Sequence, residues 1–599
     1  MGKIVSSAAF MAFTIFVLVP RYARPAEYYV DKAHPRAADA NPGSKESPWL
    51  TIQKAASYMK AGDTCFVMPG TYDERVSPDA SGTEGRLITF KAVGRAVVRG
   101  FQLNSRSYVR LIGFEITQTS SFAFPAVQLM AAHHCQILDN NIHHTSTIGI
   151  FFRKQAPSHH VLVRGNTMSF IGSIPGREIG EIAILVAGNS NLIEYNDISH
   201  VADFTNVWGE RNIIRNNHFH DNTLNDYRDF LKKNPQGHHI DGLQYYSDKI
   251  APLIQTLVEN NLIIDNDVPH AHVLLLRNIY GDVSRELLFR GNIVVRNGSI
   301  AILAESFPDI RIVHNTFVDL LNQQVPKNRY CLQFSRGTTN ARILNNIFHN
   351  SSRPNGITFY LAESSRPGFV ADHNLVFKSG NPSQRHGVYK NPLFSDQAKD
   401  DYRLQERSPA IDAGAALTLT AAPGTGTSVP VHDAGYFSDG WGISAGDLIR
   451  VGASLPARIS HIDYAKNVIE VDRPLTWSTN DPVQLDYSGK APDIGALERQ
   501  EEGREWDVRI VTPAAGSPAG ATVPLRTEVS GDAVVRFVVL YVRGIPVAQL
   551  DRSPFLFTWD TSGLEPGPYE VEARAYVRNA DPAPTKSAKI TVILGSPGL

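Results

Sequence analysis

The chain has 599 residues, 58 Lys and Arg against 59 Asp and Glu, a formal net charge of −1 and three cysteines. So even a balance excludes the basic footprint of a nucleic-acid binder, and no nucleic-acid partner is expected. Cys65, Cys135 and Cys331 all lie in apolar runs, which reads as three buried thiols rather than a disulfide framework.

Residues 1–26 open with MGK, run apolar from 4 to 20 and end RYARPA. This is the pattern of a secretory signal, with an uncleaved membrane anchor as the alternative; either way the rest is expected to be exported, secreted, periplasmic or on the cell surface. Residues 51–60 read as a short amphipathic helix and 64–68 as a strand. A helix there can cap the exposed core at the end of a solenoid.

From residue 140 onward one turn recurs. Asn140, Asn166, Asn196, Asn217, Asn261, Asn292, Asn315, Asn346 and Asn374 each close one apolar segment and open another, at spacings of 26, 30, 21, 44, 31, 23, 31 and 28. Periods of this size mean a solenoid, and units built of short Val, Ile, Leu and Phe runs without helical spacing make each unit a coil of a parallel β-helix. Apolar side chains then fill the coil axis. The Asn is suited to a left-handed turn and to an amide bond with the next coil.

The 44-residue interval between Asn217 and Asn261 is too long for one coil, and an insertion in a solenoid becomes a loop on one face. It carries GHHIDGLQYY at 237–246. In that run Gly242 leaves the carboxylate of Asp241 without a neighbouring side chain, which would let a bulky ligand approach; the alternative is an Asp that caps a turn. Of 20 His residues, 13 fall between His133 and His272, where an even spread would place about five. The His-His steps at 133, 143, 159 and 238 are expected to set one ring inward and one outward.

Residues at equivalent positions of successive coils form columns. Counting four past each Asn gives His144, Phe170, His200, Asp221, Asp265, Arg296, Asp319, Asn350 and Lys378. In this column Asp221 and Asp265 are candidates to share a cation such as Ca2+, the alternative being carboxylates that cap local amides. A second column places Arg153, Ala187, Tyr246, Arg277, Glu305 and Ser335 on an outer face, a polar stripe compatible with sugars.

Residues 415–490 read as a small antiparallel β module inserted before the chain closes. Its Tyr436, Phe437, Trp441 and Trp477 either fill a core or stack on sugar rings. Residues 505–599 alternate apolar and polar over about seven strands, an Ig-like sandwich in which Tyr569 sits where a tyrosine corner would. A charged linker, Arg499 to Glu505, is expected to separate it from the solenoid as an independent unit.

The opening YYVD…NPGS…SPWLTIQKA…GDTCFVMPGTYDERV and the closing SPAIDAG (408–414) with APDIGALE (491–498) resemble the pectate-lyase-like right-handed parallel β-helix superfamily of exported bacterial proteins. The resemblance covers roughly 27–414 and 491–500 and implies a right-handed parallel β-helix there; with the module at 415–490 inserted in the closing coil, a closing segment and linker at 491–504, and the sandwich at 505–599, the whole chain is expected to be all-β. The resemblance also implies a polysaccharide partner, expected to be acidic, and the chain is expected to be a monomer. The run His239-Ile240-Asp241-Gly242-Leu243-Gln244 is similar to a segment in which an Asp-Gly pair opens the strand lining the substrate groove.

Three readings stay open. In a polysaccharide lyase, Arg277 or a cation neutralises a uronate, His239, Lys233 or Lys232 takes the adjacent proton, and Tyr246 assists the leaving oxygen, with Gln244, Glu305 and Arg153 binding substrate. In a glycoside hydrolase, Asp241 pairs with a carboxyl such as Glu305. The third is a glycan-binding or adhesion protein. The chain has neither the Asp-Asp-Gly run of calcium-dependent pectate lyases nor the Gly-His-Gly of polygalacturonases.

Overall fold

The structure, a computed structural model, describes residues 25–117, 124–174, 177–178, 181–223, 241–247, 251–268, 271–281, 283–321, 330–352, 357–380, 384–499, 506–531, 535–562, 564–577 and 585–595. Residues 1–24 of the expected leader therefore lie outside the described residues. Among those described, no helix is long and apolar enough to cross a membrane.

Each coil gives one short strand to each of three parallel sheets. Sheet I takes the strand before each recurrent Asn, as in Leu192–Glu194, Ile213–Arg215, Leu253–Glu259 and Arg285–Arg290. Sheet II takes the strand after it, as in Asp197–Ser199, His218–His220, Leu262–Ile264 and Ile293–Val295. Sheet III ends the coil, with Asp203–Glu210, Leu243–Tyr246, Leu274–Arg277, Ile302–Glu305 and Leu332–Ser335. Strands of three or four residues hold because alternate side chains enter the coil. Ile214, Val258 and Phe289 from sheet I, Phe219, Ile263 and Val294 from sheet II, and Tyr245, Leu276 and Phe334 from sheet III form one continuous core.

The Asn column is a hydrogen-bonded ladder. All nine are buried, and the side-chain amide of each donates to the Oδ1 of the next at 2.9–3.1 Å until Asn374 donates to Gln384. The left-handed turn expected of these Asn falls instead on their neighbours. It is taken by the preceding residue, as at Tyr195, Asn216 and Asn260, and by all nine residues four positions beyond, His144 to Lys378. The amide must point into the coil to reach the next rung, so the residues at the bends, with side chains outside, carry the strain of about 1–2 kcal/mol each. The His-His steps at 133, 143 and 159 differ from expectation for the same reason, while the step at 238 lies outside the described residues. His134, His144 and His160 take left-handed turns, and both rings stay at the surface, where His133 stacks on His159 at 5.0 Å and His134 on His160 at 4.8 Å.

The helix Ile52–Tyr58 closes the first coil, with the Thr51 hydroxyl accepting from the Lys54 N–H and Ile52, Ala55 and Ala56 buried against the core. At the other end the two closing motifs meet: the Asp412 N–H donates to Asp493 at 2.8 Å and the Ile494 N–H to the Ala410 carbonyl at 2.9 Å. All three cysteines are free and buried.

Between those motifs, six antiparallel strands from Thr418–Leu419 to Pro482–Leu485 form the inserted module. Tyr436, Phe437 and Trp477 are buried in its core and Trp441 is partly buried, so these aromatics pack rather than present a sugar platform. The C-terminal sandwich runs from Asp507–Thr512 to Thr585–Leu594 in a three-stranded and a five-stranded sheet, and the Tyr569 hydroxyl donates to the Glu565 carbonyl at 3.0 Å, as a tyrosine corner does.

The expectation of an appendage held off by a linker is corrected: both modules pack on sheet I. The insert shares a core with Leu192, Ile213, Leu257, Leu288 and Val313, and the sandwich surrounds Tyr195 with Phe537, Val539, Tyr541 and Tyr576. Beneath them runs a charge ladder, Arg164, Glu194, Arg215, Glu259 and Arg290, in register on five coils and almost fully buried. Arg290 donates to Asp447 of the insert and Arg536 of the sandwich to Glu259. Buried charges persist only when paired, and here each module supplies one partner. Sheet II from Ile264 onward is covered by Phe394, Tyr402 and Leu404. Sheet III and the earlier coils of sheet II are the faces that no described module covers.

Candidate functional site

At the corner where each coil enters sheet III, the register Thr205, Leu243, Leu274 brings three polar residues into one column two positions earlier: Asp203, Asp241 and His272. They have the parity of inward-facing Leu243 and Leu274, and all three are buried. The Asp241 carboxylate accepts from the His272 ring Nδ1 at 2.8 Å, from the His272 backbone N–H at 3.1 Å and from the Gln244 amide at 3.1 Å. A carboxylate can only accept, so the bonded Nδ1 carries the proton and Nε2 becomes the basic nitrogen of the ring. Asp203 accepts the Asp241 backbone N–H at 3.0 Å. Burial, and then the charge of Asp241, push the Asp203 carboxyl up to about 8, so it holds its proton near neutral pH. A buried acid beside a charged carboxylate and an oriented imidazole is the kind of arrangement that marks reactive centres.

Gly242 has a different cause from the one expected. A Cβ there would lie 2.6 Å from the Val273 carbonyl oxygen of the next coil, so the glycine admits a neighbouring backbone rather than a ligand. Asp241 itself is fully buried.

On the outer face of sheet III the expected stripe is present: Tyr246, Arg277, Glu305 and Ser335 stand in register on four coils. Tyr246 is 38% exposed, and the Arg277 Nε donates to Glu305 at 2.7 Å, whose other oxygen is 3.4 Å from Arg336. Two guanidiniums around one carboxylate leave this stretch net positive. Ala187 pairs with Trp208, a coil that the expected column omitted, and the Trp208 ring lies 3.2 Å below the Lys154 ammonium and donates its N–H to the Tyr246 carbonyl. Arg153 is exposed just past Ile150–Phe152. Gln244, on the same outer face, bridges Asn206 and Asp241.

Two expectations are corrected. Asp241 and Glu305 are not a hydrolytic pair: five residues along the strand and two coils across separate them by about 16 Å and about 10 Å, beyond the roughly 5–9.5 Å that glycoside hydrolysis needs. Asp221 and Asp265 do not share a cation site either. Asp265 is held by the fork of Arg296, which also binds Asp400, and Asp221 accepts from the His220 Nδ1 at 2.8 Å. His239, Lys233 and Lys232 lie outside the described residues, in the stretch 224–240 that leads into Asp241.

Asp203, His272, Asn206 and Trp208 were missed in the sequence because coils of unequal length hide their register. The usable signal was a polar residue two places before the strands Leu243–Tyr246 and Leu274–Arg277. A cavity of about 720 Å³ lies elsewhere, at the seam of sheet I with both modules, lined by Arg215, Glu259, Arg290, Arg536 and Tyr487. Its charges pair with one another across the seam, which makes it a consequence of docking.

The sequence matches the family described as a right-handed beta helix region over residues 157–348, a bacterial Ig domain over 507–573 and a protein of unknown function (DUF1565) over 36–79. It is 25% identical over 287 residues to a pectate disaccharide-lyase of Dickeya chrysanthemi, covering 44% of this chain and 36% of that protein. It is 26% identical over 139 residues to the protein YwoF of Bacillus subtilis (strain 168), covering 22% and 27%. The chain thus spans about a third of the length of these relatives. Among solved structures, the pectate lyase Pel9A aligns at 13% identity over 80% of this chain and 97% of that one, with a TM-score of 0.38. An alginate lyase from Paenibacillus sp. str. FPU-7 aligns at 17% over 53% and 99%, with a TM-score of 0.33. The family matches fall on the three-sheet coil and on the sandwich: the chain carries a right-handed parallel β-helix, matched over 157–348, and a C-terminal Ig-like domain, matched to the bacterial Ig family over 507–573.

Proposed function

We propose that the protein is an exported polysaccharide lyase that cleaves a uronic-acid-containing chain by β-elimination, with the sugar chain lying across sheet III. The observation that carries this reading is the outward stripe of Tyr246, Arg277 and Glu305, on strands whose entry corner is held by the buried Asp203, Asp241 and His272 column. The relative named as a pectate disaccharide-lyase supports the reaction class.

In this reading Arg277 and Arg336 draw the uronate carboxylate to the stripe, and its neutralisation acidifies the proton on the adjacent carbon. A base removes that proton, the electron pair forms the new carbon-carbon double bond, and the glycosidic carbon-oxygen bond breaks. Tyr246 donates a proton to the departing oxygen. His239 and Lys233 are the base candidates from the stretch that leads into Asp241, and the buried pair of Asp241 and His272 positions the corner that this stretch enters.

The test is a screen of the purified protein on acidic and neutral polysaccharides. Ultraviolet absorbance of an unsaturated uronate end, abolished in Asp241→Asn, is expected. New reducing ends without that absorbance would replace elimination by hydrolysis, and no product on any glycan would leave a binding protein.

A further inference from the structure

We propose that Asp197, His218 and His220 bind one divalent transition-metal ion of the Zn2+ class on the open part of sheet II. The inference is independent of the lyase reading. It begins in the strand His218–His220, where Phe219 points into the coil and is fully buried while the two His flanking it point outward on one face. Asp197 stands directly beside His218 on the preceding coil, because the two strands pair in parallel with Asp197 opposite His218 and Ser199 opposite His220. One carboxylate and two imidazoles from adjacent coils therefore meet on a rigid sheet rather than on a loop.

The donor spacing fits a metal. His218 Nδ1 lies 3.0 Å from one Asp197 oxygen and His220 Nε2 lies 3.1 Å from the other, and the three ligand atoms are within 4.8 Å of one another. Ligands about 2.0–2.1 Å from a tetrahedral ion stand roughly 3.3–3.4 Å apart, so each of the two His-to-Asp distances is within a few tenths of an ångström of the spacing an ion requires. The rings already lie parallel, with centroids 4.1 Å apart and planes at 17°.

Asp221 adds the orienting bond that histidine ligands carry. It accepts from the His220 Nδ1 at 2.8 Å, which keeps that ring's proton on Nδ1 and leaves the Nε2 lone pair for the site. This gives Asp221 a part in metal binding other than the direct ligation its place in the sequence suggested.

The donor set decides the ion. Two nitrogens and one oxygen disfavour Ca2+ and Mg2+, which take oxygen ligands, and favour Zn2+ and its neighbours. Three protein ligands leave at least one position open, and Asp197 keeps 47% of its side-chain surface in solvent, so a water or a ligand oxygen can reach the ion.

The full-length protein, stripped with a chelator, is titrated with Zn2+ against a chromogenic competitor, and with Co2+ followed by its visible absorption. One ion per chain is expected at this site. His218→Ala and His220→Ala should each weaken binding at least about 100-fold, and Asp221→Asn about 10-fold to 100-fold with the stoichiometry kept. His386→Ala, in the separate group Asp372, His373 and His386, should leave that affinity unchanged. Binding of equal affinity in a folded His218→Ala, His220→Ala double variant would overturn the proposal. So would wild-type protein that shows no nitrogen-ligated Co2+ spectrum, a result that needs no variant.

Discussion

Arg536 of the C-terminal sandwich donates to Glu259 of sheet I at 2.8 Å, joining residues 277 positions apart. Glu259 also accepts from Arg290 at 2.8 Å and is almost fully buried. Its carboxyl is held well below the usual range: burial alone would raise it, and the charges of Arg536, Arg290 and Arg215 more than offset that. Glu259→Gln should therefore destabilise the protein by about 3–5 kcal/mol, the scale for leaving buried partners uncompensated. Deleting 505–599 should lower the melting temperature of the remaining solenoid, because Tyr195 and Glu259 lose their cover. Unchanged unfolding curves for both would mean that the docking is energetically neutral.

Asn292 donates its side-chain amide to Asn315, Val258 and Arg290 and accepts from Asn261, all within the core. Asn292→Leu fits the volume and breaks two rungs of the ladder. Each buried group left unpaired costs about 1–3 kcal/mol, so chemical unfolding should shift strongly, with activity per folded molecule retained. A wild-type melting temperature would contradict a structural ladder.

Asp203 predicts a pH dependence. Its proton is held more tightly in the folded chain than in the unfolded one, which favours the folded state while both are protonated, below about pH 4. That contribution falls as the pH rises and is gone above about pH 8, where the folded carboxyl has ionised. Asp203→Asn has no proton to lose, so the melting temperature of wild type should drop relative to the variant across this window. Parallel curves from pH 4 to 8 would show that Asp203 ionises normally.

Activity should follow Asp241 and His272. Asp241→Asn removes the charge that orients the imidazole, and it and His239→Ala should each lower turnover at least about 100-fold with folding intact. Arg277→Lys keeps charge but loses the planar fork, so KM for acidic substrates should rise more than kcat falls. Near-normal turnover in Asp241→Asn and His239→Ala together would remove this corner from the reaction. Gly242→Ala, by contrast, should destabilise the fold itself, since its Cβ meets the Val273 backbone.

The solenoid was legible because its information is local and repeated. An Asn every 21 to 44 residues, short apolar runs between, and a helix followed by Gly62-Asp63 at the start needed no knowledge of distant contacts. The stripe of Tyr246, Arg277, Glu305 and Ser335 was legible too, since successive coils there have nearly equal lengths. A further regularity stood in plain view: the residues two before Asn166, Asn196, Asn217, Asn261 and Asn292 read Arg, Glu, Arg, Glu, Arg.

What covers that ladder was decided only in three dimensions. Arg536 and Asp447 belong to modules whose own patterns specify a sandwich and a small β module, and nothing local in either names sheet I as its partner. The corner of Asp203, Asp241 and His272 was hidden for a related reason. Its members lie 38 and 31 residues apart, and their alignment depends on how much of each coil leaves the sheet as a loop. Sequence periodicity sets which side chains face inward. Register between coils of unequal length, and the docking of one module on another, arise from the summed packing of residues far apart in the chain.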